Sequence, residues 1–166
     1  TSDTETLLKL FEKLGLKMLN VIDGMFAMAI YDRKKTKLYL ARDRAGKKPV
    51  YYYKKGNELS FASELNTLIK LNPTTLNYDS LNEYFFTGLF FEKHTPYNEI
   101  KEVKNGCVLE INTQTLNVIE KQWWNIQDFY KNKIEINYNE AKLKVKELLD
   151  ISIKRRLEAS DLEVGT

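Results

Sequence analysis

The segment Gly24-Met25-Phe26-Ala27-Met28-Ala29-Ile30-Tyr31-Asp32 is apolar at odd and even positions alike. Successive side chains of a strand point to opposite faces, so a half-solvated strand alternates. One that does not alternate is expected to be buried on both faces, with covering layers above and below. The 166 residues can build such a core, since a chain of this length buries about two-thirds of the surface its unfolded form exposes. Apolar residues at 43% and aromatics at 12% argue against disorder, which needs low hydrophobicity with high net charge.

The flanking segments supply the other layers. Leu7, Leu8, Phe11 and Leu14 recur at helical spacing, and Ser2 followed by Glu5 has the spacing of a capping box. Gly15 ends that helix, and a short second turn carries Met18 and Leu19. Leu38 to Ala41 reads as a second strand. Val50 to Tyr53 and Leu59 to Ala62 read as a hairpin around Lys55-Gly56-Asn57. Ser63 is expected to cap a short helix through Leu65, Leu68 and Ile69. Asp79 to Phe86 reads as a helix stopped by Gly88, and residues 92–105 as loop. Gly106–Ile111 and Asn117–Trp123 read as two antiparallel strands. Ala141, Val145, Leu148, Leu149, Ile153 and Leu157 form the apolar stripe of a last helix, ahead of Val164-Gly165-Thr166. The pattern predicts an α+β chain with two antiparallel sheets between helical layers.

Several function classes are excluded. Lys and Arg number 26 against 23 Asp and Glu, a net charge of +3, too small and too interspersed for a nucleic-acid partner. One cysteine and one histidine leave no disulfide and no Cys/His zinc site, and no metal site is expected. No apolar run approaches the ~18 residues of a membrane span, and Thr1 to Glu5 do not resemble a signal peptide. A soluble cytoplasmic protein is the expectation.

Cys107 and His94 are the obvious nucleophile and base. Cys107 enters a strand, where a free cysteine packs as a small hydrophobe, and nothing local orients His94, so neither is expected to be catalytic. Thr1 as an N-terminal nucleophile fares no better, because a capping box at Ser2 leaves no room for a buried N-terminal strand. Arg42 and Asp43 continue directly from a strand into Arg44-Ala45-Gly46-Lys47-Lys48-Pro49. They are expected to pair with something, more readily in structural ion pairs than with substrate. Gly46 permits an unusual backbone angle and Pro49 fixes entry into the next strand. Asp3 favours a helix N-terminus, or faces a cleft and holds a ligand ammonium group.

Four segments in order resemble the glutamine amidotransferase domain of asparagine synthetases. They are Ser2-Asp3-Thr4-Glu5, Gly24 to Asp32, Ala41-Arg42-Asp43-Arg44-Ala45-Gly46-Lys47-Lys48-Pro49-Val50-Tyr51-Tyr52, and Phe61-Ala62-Ser63-Glu64. Lys104-Asn105-Gly106-Cys107 occupies the place of the family's P-P-G turn without its prolines, and Trp123-Trp124 resembles the aromatic pair that ends the domain. The resemblance implies an Ntn-hydrolase-type αββα sandwich, incomplete at its N-terminus. Residues 1–130 would be the later part of the glutaminase domain, and 131–166 the linker and first helix of an ATP-dependent synthetase domain. The family's N-terminal cysteine nucleophile and oxyanion segments fall outside this sequence, so the resemblance implies no catalytic residue here. It assigns Asp3 to the α-ammonium of glutamine, and Arg42, Asp43, Gly46, Pro49 and Glu64 to shaping a cleft or interface. ATP and Mg²⁺ would belong to the synthetase domain, and a homodimer is left open. A related acceptor, such as a sugar or another carboxylate, or a non-catalytic remnant of the domain, are the alternatives.

Overall fold

The computed structural model describes residues 2–158; Thr1 and the Val164-Gly165-Thr166 segment lie outside them. Ser2, in extended backbone, accepts a hydrogen bond at its side-chain oxygen from the Glu5 N–H (3.3 Å) and so opens helix α1, Asp3–Leu14. Gly15 closes it with φ at +57°, and a 3-10 turn over Gly15–Asn20 inserts Met18 and Leu19, each 1% exposed. The other helices are α2 (Leu65–Leu71), α3 (Tyr78–Thr87), α4 (Gln127–Lys131) and α5 (Tyr138–Glu158). The strands are β1 (Ala27–Asp32), β2 (Lys37–Arg42), β3 (Tyr51–Lys55), β4 (Glu58–Ala62), β5 (Ile100–Glu102), β6 (Cys107–Asn112) and β7 (Val118–Gln122).

Every strand pairing is antiparallel, in two sheets of order β1-β2-β6-β7 and β4-β3-β5. The period of two along β2 and β6 sorts their side chains into two cores. Tyr39, Ala41 and Val108 pack with Met18 and Leu19 beneath α1, whose Leu7, Leu10 and Phe11 join them. Leu40, Leu109 and Ile111 face the opposite way and meet Val50, Tyr52 and Val103, closing the two sheets on one another. On the far side of the second sheet Tyr53 and Ile100 are covered by Leu65, Leu68 and Ile69 of α2. The layer order is helix, sheet, sheet, helix, as expected of the αββα sandwich.

Three local expectations need correction, and one helix was not expected. β1 is not buried on both faces: it is an edge strand, with Ala29 exposed and Tyr31 53% exposed. The central, doubly covered strands are β2 and β6. Residues 92–105 are not all loop, since β5 pairs Lys101 with Tyr52. The N-cap of α2 is Glu64, not Ser63, and it caps by backbone alone. The helix α4 has no counterpart in the sequence reading.

The chain divides into two compact units, one ending at Asn125 and the other beginning at Ile126. In the second, the Asn137 side chain accepts from the Glu140 N–H (3.0 Å) at the start of α5. The apolar residues Leu143, Val145, Leu148, Leu149 and Ile153 of α5 are all exposed among the described residues.

Candidate functional site

Between β2 and β3 the chain turns through residues 43–50, and Asp43 dictates how. Its carboxylate is 2% exposed and accepts four backbone N–H bonds: Ala45 (3.0 Å) and Lys47 (3.0 Å) at Oδ1, Lys48 (3.1 Å) and Phe26 (3.2 Å) at Oδ2. Burial raises the carboxyl's pKa, but the four donors outweigh it and hold the group below its ordinary value. The main chain of the same residue is bonded on both sides. The Asp43 N–H donates to the Phe26 carbonyl (2.9 Å), and the Asp43 carbonyl accepts from the Gly106 N–H (2.9 Å).

Arg42 locks the same loop from outside. The guanidinium donates to the carbonyls of Gly46 (2.8 Å), Lys48 (3.1 Å) and Val103 (2.8 Å), and pairs with Glu102 at 2.8 Å. Its planar fork of five donors suits this many-sided task. Gly46 lies against it, at φ +65°, where an added Cβ would meet the guanidinium carbon at 3.0 Å. Pro49 lies half-buried in this same loop, just ahead of the buried Val50.

At the neighbouring turn, the Gly106 carbonyl accepts from Trp123 (2.9 Å) and Trp124 (3.1 Å). Asn105 donates to the Arg44 carbonyl (3.3 Å). Trp123 stacks on Phe26 with ring centres 6.0 Å apart, and the Arg44 guanidinium sits 6.0 Å from the Trp123 ring centre. One end of the first sheet is thereby tied together from all four of its strands.

The remaining expected residues lie elsewhere. Asp3 is the first residue of α1, exposed, with its carboxylate engaged by no described residue. Glu64 is exposed at the head of α2, in the opposite helical layer. The structure therefore joins Arg42, Asp43, Gly46 and Pro49 in one loop and leaves Asp3 and Glu64 apart from each other. Cys107 is 3% exposed in the inter-sheet core, its thiol pKa raised by burial and then by the charge of Glu120. His94 instead contacts Glu83 of α3 at 2.9 Å through Nδ1. Glu102 carries no sequence signal, since it is too distant from Arg42 along the chain for spacing to link them; Phe26 and Gly106 lie in the quoted motifs but act here through backbone groups, which residue type does not reveal.

A model of the glutamine amidotransferase domain family matches residues 1–124. This chain belongs to that family. Among the relatives of this amidotransferase domain is Bacillus subtilis asparagine synthetase (glutamine-hydrolysing) 2, 33% identical over 175 residues, covering 99% of this chain and 23% of that protein. Bacillus subtilis asparagine synthetase (glutamine-hydrolysing) 3 is 30% identical over 172 residues, covering 100% of this chain and 26% of the relative. The amidotransferase chain thus spans about a quarter of the length of these curated relatives. The resemblance drawn from the four motifs is confirmed at the level of the family.

Proposed function

We propose that this domain is the glutaminase part of a glutamine-hydrolysing asparagine synthetase, releasing ammonia from glutamine for ATP-dependent amidation of aspartate. The observation that carries this reading is the family match over residues 1–124. Glutamine is the substrate, and a synthetase domain in a longer protein is the partner that consumes the ammonia. ATP and Mg²⁺ would act in that synthetase domain. Among the described residues no group of three or more His, Cys, Asp or Glu side chains is arranged to hold a metal ion, and no helix is long and apolar enough to cross a membrane.

Asp3 is assigned to the α-ammonium of glutamine. Its carboxylate is exposed and uncommitted, so it can accept charge-assisted hydrogen bonds without first losing a protein partner. Arg42, Asp43, Gly46 and Pro49 act indirectly, by fixing the backbone of the loop that shapes the cleft or the domain interface, and Glu64 shapes the same kind of surface at the start of α2. The 166-residue chain alone should not hydrolyse glutamine, because Cys107, its one thiol, is buried and disfavoured as a thiolate.

The test uses a full-length synthetase carrying this domain. Asp3→Asn keeps the shape of the side chain and its compatibility with a helix start. It removes a charge-assisted bond worth about 1.5–3 kcal/mol, so kcat/KM for glutamine should fall roughly 10- to 150-fold. Ammonia from solvent bypasses the glutamine pocket, and ammonia-dependent synthesis should be unchanged. Equal losses with both nitrogen sources would reduce Asp3 to a structural cap, and no loss with either would remove it from the site.

A further inference from the structure

Between the inner faces of the two sheets, past their apolar core, a cleft of 420 Å³ opens to solvent. Its volume falls in the range of small-molecule sites. Lys54 of β3, Lys101 of β5 and Lys93 from the preceding loop line it, with Tyr52 between the two strand lysines and Glu120 and Glu99 also on its walls. The register of β3 and β5 sets Lys101 opposite Tyr52, so Lys54, two residues on, is its diagonal neighbour on the same face. Two like charges thus stand diagonally across the solvent-exposed rim of the cleft, and none of the three lysines ion-pairs with a described residue.

The acids do not cancel them. Glu99 is already held by the Thr75 N–H (2.9 Å), the Thr75 hydroxyl (3.0 Å) and Lys55 (3.3 Å), the last lying outside the cleft. Glu92, near Lys93, is paired with Lys104 at 2.9 Å, which leaves Glu120 as the remaining acid on a wall that carries three lysines. A concave site with an excess of one charge concentrates counter-ions, most strongly at low salt.

We infer that this cleft binds a small multiply charged anion, a dicarboxylate or a phosphate, through the ammonium groups of Lys54, Lys93 and Lys101. The anion relieves the repulsion between Lys54 and Lys101, and Glu120 opposes it from the facing sheet.

Calorimetric titration of the whole chain at low salt, with glutarate in one arm and inorganic phosphate in the other, tests this and identifies which anion class is preferred. At least one should bind saturably. The double variant Lys54→Gln/Lys101→Gln should weaken that binding at least about tenfold, with its thermal midpoint in the absence of anion no lower than that of the wild type. Glu120→Gln should tighten it, an effect in the opposite direction that damage to the fold would not produce. Lys9→Gln, a surface control on α1, should leave it within about twofold. No saturable binding in either arm, a smaller loss in the double variant, no tightening with Glu120→Gln, or an equal loss with Lys9→Gln would each overturn the inference.

Discussion

A methyl group added at Gly106 would stand 2.4 Å from the Trp124 carbonyl oxygen, at a residue whose φ is +63°. The neighbouring atom is backbone, so it cannot swing aside as a side chain would. Gly88 has a similar φ of +75°, but nothing lies within 4 Å of where its Cβ would be. The pair separates backbone strain from steric conflict. Gly88→Ala should cost about 1 kcal/mol, the lower range for a left-handed non-glycine residue, while Gly106→Ala should cost about 2–4 kcal/mol, strain plus overpacking. Urea unfolding of the two variants measures the difference, and equal losses would show that the Trp124 carbonyl yields. At this scale the sequence marks Arg42, Asp43 and Gly46 as unusual, because charges rarely continue straight from an apolar strand. It could not supply their partners. The Asp43 ligands come from Phe26 as well as from its own loop, and the Arg42 ligands from Glu102 and Val103.

β1 stands at the edge of its sheet, and among the described residues no strand pairs with its outer side. An unpaired edge offers a row of N–H and C=O groups to another chain, and exposed Tyr31 makes that edge partly apolar. The isolated 166-residue chain should therefore self-associate with rising concentration. Ala29→Lys, which places a charge on the exposed face of β1, should shift the sedimenting species toward monomer. A wild-type chain that stays monomeric at high concentration, or a variant that associates as strongly, would mean that this edge is not the contact. The composition of β1 concealed its position. Alternating Ala with Met and Ile reads as apolar on both faces, but an alanine face needs no cover. β2 and β6 are more polar on paper yet more deeply covered, because Glu110, 8% exposed, is flanked by Lys37 and by Lys121 at 2.6 Å across neighbouring strands. Those neighbours exist only once the strands are aligned. β5 escaped notice for a related reason: three residues with two charges carry no period, and only pairing with β3 makes them a strand. The hairpin at Gly56 and the Ser2 N-cap were legible because each is complete within a few residues, although the Glu5 side chain pairs with Lys9 (2.7 Å) and does not complete a capping box.

Across the whole molecule, acid should be the condition that distinguishes folded from unfolded chain most clearly. The carboxyls of Asp43, Glu99 and Glu110 all have pKa values below their ordinary ones. For Asp43 burial works the other way and is outweighed by the four N–H donors; Glu99 is lowered chiefly by the Thr75 N–H, and Glu110 by Lys121 and then Lys37. A carboxyl with a depressed folded-state pKa adds stability that is fully present above its unfolded value, near pH ~4, and is lost as pH falls through the folded value. Stability should be level from neutral pH down to about pH 5 and decline below pH ~4. Asp43→Asn should lower the plateau and make the acid decline shallower, read from denaturant midpoints across pH; an unchanged acid slope would mean that Asp43 does not titrate with unfolding. The layer order and family were accessible from motifs gathered in sequence, whereas the cleft between the sheets depends on how two distant faces meet. The architecture of the Asp43 loop also limits what can be done with it. Residues 42–50 moved into another sandwich would bring the donors at Ala45, Lys47 and Lys48 but leave behind the Phe26 N–H, the Val103 carbonyl and the Glu102 carboxylate. A graft would arrive with a buried carboxylate and a guanidinium each short of partners. The loop is not a portable cassette, and its shape belongs to the sandwich around it.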